Sequence, residues 1–188
     1  MSPRATGAAL ATALALVGGG CRSSEPARFG FGRPATAEEI RAWDIDVRPD
    51  GTGLPPGSGT ASQGAAIYAR RCVACHGRTG SEGPFDLLVG REPRQGFPFG
   101  RDPRWVRTIG NYWPYATTLY DYIQRAMPLD APGSLQPDEV YGLVAFLLWR
   151  NAIVADTAVM NAQTLPRVVM PARDRFVRDN RQGGPEVR

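Results

Sequence analysis

The residues best equipped for chemistry occupy six consecutive positions, Arg71 to His76, reading RCVACH. Cys72 and Cys75 stand three positions apart, and His76, the sole histidine of the chain, follows at once. Several chemistries compete for two thiols and an imidazole at this spacing. A thioredoxin-like redox pair requires a strand–helix–strand setting, and no alternating strand pattern flanks the motif. A structural zinc site takes about four protein ligands; this segment offers three, and neither a second histidine nor a second cysteine pair exists. A plain disulfide leaves the adjacent histidine without a role. The most specific reading is covalent attachment of one c-type haem, the thiols of Cys72 and Cys75 adding to its vinyl groups and His76 lying beneath the iron as proximal ligand.

A closed haem then needs a ligand on its other face. With His76 spent and every one of the 22 basic residues an arginine, only methionine remains. Met1 is expected to leave with a signal segment, so the candidates are Met127, Met160 and Met170. Methionine is ordinarily core filler. Met127 lies in QRAMPLDAPGS, between the cysteine motif and the strongest predicted helix. Pro128 disfavours helical backbone for the residue before it, so the preceding helix must end at Met127, which is then presented from a loop. Met170 also precedes a proline, so that feature alone does not discriminate. Met160 and Met170 fall after the last strong helix and are expected to be surface cover. Met127 is the expected distal iron ligand; an open distal site is the alternative. His76/Met127 ligation favours reversible one-electron transfer, because a thioether raises the reduction potential and fills the position that would bind oxygen species. A haem enzyme or sensor, such as a peroxidase, is disfavoured by that closure and by the absence of a distal histidine.

These residues need elements to hold them. At 188 residues the chain has room for one domain with flanking segments. Its net charge of +4 is mild and its arginines are interleaved with acids, so no nucleic-acid partner is indicated. Residues 1–20 read as a signal peptide: Arg4, then the run Ala8–Val17, apolar but for Thr12, then three glycines before Cys21. That run is too short to span a bilayer. Acylation of Cys21 as a lipoprotein, simple cleavage with release, and a retained anchor are the alternatives. The first two place the protein in the periplasm, membrane-associated only through the lipid at Cys21. A Pro/Gly-rich extension covers residues 22–60, with a short helix in TAEEIRAWD whose Thr36 and Glu39 form a capping box. The haem domain is assigned to residues 61–152. It comprises a helix leading into the cysteine motif, a second over TTLYDYIQRAM, and a third from Gln136 to Asn151 that is apolar on nearly every face and must be buried on more than one side. Residues 153–188 form a wrapping tail, fraying after Phe176. The fold class is all-α with much coil.

The motif and its helices resemble class I c-type cytochromes. There a helix carrying G-x-x-x-[YF] leads into CxxCH and crosses a C-terminal helix carrying L-x-x-[FY]; Gly64, Tyr68, Leu143 and Phe146 match, as do Gly83 and Pro84 to the Gly-Pro after the motif. The resemblance covers roughly Ala61 to Asn151. It implies a small helical domain around a covalent haem, close helix approach at Gly64, and a Pro84 carbonyl accepting from His76 Nδ1. It also implies haem-propionate partners among Trp105, Tyr112, Trp113 and Tyr115, for which core packing is an equal alternative. Arg91, Arg94, Arg101, Arg104 and Arg107, against Glu92 and Asp102, could neutralise propionates, dock an acidic partner, or form a solvated face.

Longer stretches, GRPATAEEIRAWDIDVRPDGTGLPPGSG, TIGNYWPYATTLYDYIQRAMPLDAPGSL and DEVYGLVAFLLWRNAIV, are similar to the cytochrome subunit of periplasmic sulfite dehydrogenases, including the sulfane dehydrogenase of the sulfur-oxidation (Sox) system. That resemblance spans about Phe31 to Val177. It implies a chain that is not catalytic alone and accepts single electrons from a molybdopterin-containing subunit, passing them to a downstream cytochrome or oxidase. It further suggests that the Gly32–Gly59 coil lies on that partner, with a spacer as the alternative. A stand-alone soluble or lipid-anchored carrier feeding a terminal oxidase is the rival function. Some relatives carry two haem domains; this chain has one CxxCH.

Overall fold

The computed structural model describes residues 31–99 and 101–177. The expected signal segment, Cys21 and the end of the tail lie outside the described residues. The organising element is the helix α5 (Pro137–Arg150), in which every residue from Val140 to Leu148 is buried. Pro137 at the first turn costs no backbone hydrogen bond, and Asp138 and Glu139 suit the positive end of the dipole. The Glu139 carboxylate accepts from the Gln136 backbone N–H at 2.9 Å. A helix apolar all round must be covered on several sides. Helices α2 (Ala61–Arg71) and α4 (Ala116–Ala126) and the short antiparallel strands β1 (Ser58–Thr60) and β2 (Val159–Asn161) all pack on it.

The crossing of α2 and α5 is set by two glycines. A Cβ on Gly64 would overlap the Gly142 carbonyl and lie 2.8 Å from Phe146 Cβ, so the backbones touch directly. One turn further on, the Tyr68 and Phe146 rings meet at 5.0 Å. The match of Gly64, Tyr68 and Phe146 thus has a physical basis: the small residue sets the approach and the aromatics fill the space beside it. Thr60 and Gln63 cap α2 reciprocally, Thr60 N–H reaching Gln63 Oε1 at 2.8 Å.

Three features add to or correct the expectations from sequence. The first adds to a fold that is helical as expected: the strands β1 and β2 are three residues each, too short to display alternation in the sequence. They matter because the pair draws the tail back across α5, placing Met160 opposite Gly59. The second is a correction: Met160 and Met170 are therefore core residues, 4% and 2% exposed, rather than surface cover.

The third concerns the N-terminal extension, which divides in two. The helix α1 (Ala37–Trp43) forms with the expected Thr36–Glu39 capping box, yet it buries no residue. From Val47 onward the chain is stitched to its own domain. Val47 N–H donates to the buried Asp121 Oδ1 at 2.8 Å, Thr117 Oγ1 to the Pro49 carbonyl at 3.0 Å, and Tyr141 Oη to the Pro55 carbonyl at 2.9 Å. Ser58 N–H donates to Asp138 Oδ1 at 2.7 Å. Proline and glycine deny this stretch a ladder of its own, so side chains of α4 and α5 satisfy its backbone instead. Asp121→Ala would orphan the buried Val47 N–H and release Arg125. Loss of such an acceptor costs about 1–3 kcal/mol, to be read as a lower midpoint of thermal unfolding with an unchanged visible spectrum.

Candidate haem site

The site is assembled where α2 ends. Cys72 closes α2, and the single-turn helix α3 (Val73–His76) carries Cys75 and His76 before Gly77 turns the chain at φ +74°. Both thiols are free rather than bonded to each other. Burial pushes the Cys72 thiol up to about 11, partly opposed by Arg71.

His76 is oriented by the loop that follows it. Its Nδ1 lies 2.9 Å from the Asp86 carbonyl oxygen. A carbonyl only accepts, so Nδ1 carries the proton and the lone pair is at Nε2, the nitrogen left to bind iron. The partner is Asp86 rather than Pro84, two residues beyond the expected one. Gly83 explains how the loop gets there: it runs directly under the motif, where a Cβ would overlap the Cys75 carbonyl and lie 2.6 Å from His76 Cα. Phe85 N–H donates to the same Cys75 carbonyl at 3.1 Å. The loop is clamped at its start by Glu82, which accepts from Thr79 N–H at 2.8 Å and from the Thr79 hydroxyl. These bonds to Thr79 lower the Glu82 carboxyl from 4.5 to about 2. A depressed carboxylate stabilises the fold above its unfolded value and loses that contribution as pH falls through the folded one. The clamp is thus intact at neutral pH and loosens only in acid, between about 4.5 and about 2. Tyr68 Oη donates to the Gly77 carbonyl at 2.9 Å, joining the loop to α2.

Met127 closes α4. Its backbone is extended (φ −123°, ψ 148°) while its N–H still bonds the Ile123 carbonyl at 3.1 Å, so the helix ends where Pro128 requires. The side chain is half-buried. Cys72, Val73, Leu88, Trp113 and Met127 all lie as partly buried apolar groups against the central core. The two ligand-bearing segments are also bonded: Arg71 donates to Ser134 Oγ, in the loop after Met127, at 2.9 Å. Of the three candidate methionines, Met127 is half-buried, whereas Met160 and Met170 are sealed in the core.

Asn151 was not singled out in the sequence, though its place as the polar end of an apolar helix marks it. Its amide donates to the Leu88 and Leu147 carbonyls at 3.1 and 2.9 Å, and its Oδ1 accepts from Gly90 N–H at 3.0 Å. This fixes Leu88 to the end of α5. The aromatic candidates divide. Trp113 packs partly buried against the core and donates from Nε1 to Thr118 Oγ1 at 3.0 Å. Tyr112 instead stacks on Phe97, ring centroids 5.4 Å apart, with the Arg107 guanidinium over its ring at 4.9 Å from the centroid. Tyr115 caps α4 under Arg173, and Trp105 is 37% exposed. Most of the basic stretch is engaged locally: Arg94 pairs with Glu92, Arg104 with Asp102, and Arg91 donates to the Ala152 carbonyl at 3.0 Å.

Two free thiols, a histidine with its Nε2 lone pair available and a half-buried thioether whose loop is bonded to Arg71 are the donor set a c-type haem requires. These residues fit the group: Cys72 and Cys75 would carry it, and His76 and Met127 would ligate it. With this donor set, a glycine-tight crossing of α5 with α2, the helix that leads into CxxCH, fits the class of c-type cytochromes. Comparison with known proteins agrees. Residues 59–147 match the family described as Cytochrome C oxidase, cbb3-type, subunit III. The chain is 36% identical over 85 residues to a thiosulfate dehydrogenase from Allochromatium vinosum, covering 45% of this chain but only 29% of that protein. It is 41% identical to a chain of the sulfane dehydrogenase SoxCD from Paracoccus pantotrophus, with a TM-score of 0.71, covering 81% of this chain and 73% of that one. The chain belongs to the c-type cytochromes. Its likeness to the SoxCD chain extends past the haem domain into the flanking segments.

Proposed function

We propose that this chain is the mono-haem, electron-accepting subunit of a molybdenum-dependent sulfite or sulfane dehydrogenase, working in the periplasm. The observation that carries the redox half is Met127, presented at the end of α4, whose following loop is bonded through Ser134 to Arg71, next to Cys72. The reach of the SoxCD likeness supports the sulfur half. Haem c, when bound, supplies a one-electron couple. The protein's own residues do the rest. The Asp86 carbonyl fixes the His76 tautomer, and the Met127 thioether, half-buried at the end of α4, would serve as the second iron ligand. No substrate chemistry is assigned to this chain, so the sulfur substrate is oxidised on the partner and electrons arrive one at a time.

The test is anaerobic mixing of the haem-loaded chain with the molybdenum subunit of the same organism and either sulfite or thiosulfate. The expected result is growth of the reduced α-band only when both subunit and substrate are present, with one haem per chain by the pyridine haemochrome. If dithionite reduces the haem but subunit and substrate together do not, the dehydrogenase reading fails and a stand-alone carrier takes its place.

A further inference from the structure

The segment from Phe31 to Asp46 is unlike the rest of the molecule. Each of its sixteen residues is exposed. Phe31 and Trp43 are 93% and 88% exposed, and Ile40 and Ile45 are 55% and 43% exposed. Its hydrogen bonds are internal: among the described residues Arg33 reaches Glu39 and the Pro34 carbonyl, Thr36 and Glu39 cap each other, and Ile40 and Asp44 N–H close the helix. A seven-residue helix is well below the length that persists unaided in water. Here it is nonetheless capped at its start and carries Ile40 and Trp43 one turn apart, on one face.

The root of this arm is fixed. Val47, the next residue, is 4% exposed and held by Asp121, whose carboxylate is gripped in turn by Arg125. A rigid root and a formed helix make a preorganised element, which loses little freedom on binding. Trp43 alone offers about 200 Å² to a partner, and tryptophan is the residue type most enriched among interface anchors. Charge indicates what kind of surface would receive it. Glu38, Glu39, Asp44 and Asp46 against Arg33 and Arg41 leave the arm at −2, on a chain of net +4. An acidic arm is repelled by anionic headgroups, so a basic-rimmed protein slot suits it better than a membrane. The likeness to SoxCD, covering 81% of this chain, reaches beyond the haem domain.

We propose that Phe31–Asp46 is a docking arm, seating Ile40 and Trp43 in an apolar slot with a basic rim on the molybdenum-containing dehydrogenase subunit. This rests on the function proposed above, and it narrows the partner-contacting part of the extension to residues 31–46, since Val47–Ser58 is bound to the chain's own domain.

The experiment compares the haem-loaded full chain with its Trp43→Ala and Ile40→Asp variants, measuring Kd for the molybdenum subunit of the same organism by calorimetry. Both side chains are exposed and α1 buries no residue, so visible spectra and melting should be unchanged. A rise in Kd of about tenfold or more, the size expected of a buried anchor, supports the arm. A smaller rise, with wild type binding normally, overturns it while leaving the functional reading intact. Failure of the wild type itself to bind overturns both. Sedimentation of the chain alone revealing a Trp43-dependent dimer, or Trp43-dependent flotation with anionic phosphatidylglycerol vesicles, overturns the arm by giving the face a different occupant.

Discussion

Met127→Ala is expected to convert the haem from low-spin to high-spin or to a misligated form, with complete loss of the thioether-to-iron charge-transfer band. The chain has no second histidine and no lysine to step in. Met160 and Met170 cannot substitute either, because β2 and the tail hold both inside the core. Axial ligation is the largest lever a protein has on haem potential, spanning about 0.8 V across ligand types, and loss of a thioether lowers the potential. The variant should therefore be harder to reduce and newly able to bind small ligands such as cyanide or carbon monoxide. Folding should suffer less than electronics, since Met127 is only half-buried at the end of α4. Met160→Leu and Met170→Leu serve as controls: both should keep the charge-transfer band, as volume-conserving core changes cost less than about 1.5 kcal/mol. An unaltered Met127→Ala spectrum would exclude Met127 as the ligand.

The site was legible in the sequence to the extent that it is local. Cys72, Cys75 and His76 are adjacent, and Pro128 dictates the end of α4 from the next position along. The helices were legible for a related reason: Thr36–Glu39 and the apolar run after Gln136 carry their own start signals. What escaped was set by distant contacts. Asp86 rather than Pro84 holds His76 because Gly83 lets the loop pass under the motif, and residue types alone do not fix how far a Gly/Pro-rich loop runs before it turns back. Met160 looked peripheral because nothing in its neighbourhood announces that β2 pairs with β1 across about a hundred residues. The extension looked uniform because proline and glycine dominate it, yet side chains from α4 and α5 decide where it stops being free. Sequence thus specifies a haem ligand more readily than the second partner that aims it.

Gly64→Ala should be strongly destabilising, and comparison with Gly142→Ala shows why. Both glycines are helical and meet at the α2–α5 crossing, Gly64 near the start of α2 and Gly142 inside α5, and in a helix interior alanine is intrinsically favoured by about 1 kcal/mol. At Gly142 the added Cβ would meet Gly64 N at 3.1 Å, a tight contact that a few tenths of an ångström of helix separation relieves. Propensity and crowding then nearly cancel, and a change within about 1 kcal/mol is expected. At Gly64 the Cβ would overlap the Gly142 carbonyl and press on Phe146 Cβ. Neither can swing aside, because the carbonyl belongs to α5 and Phe146 is packed against Tyr68 and Trp149. The helices must part, at a cost of about 3 kcal/mol, the upper end of ordinary overpacking. Against a typical total of 5–15 kcal/mol that is a large share. It also falls on the helix that carries Cys72, so parting α2 from α5 moves the attachment point relative to Met127. Gly64→Ala should therefore lower the melting midpoint steeply and weaken the thioether band, whereas Gly142→Ala should leave both near wild type. Equal effects from the two substitutions would show that the glycine contact does not set the crossing.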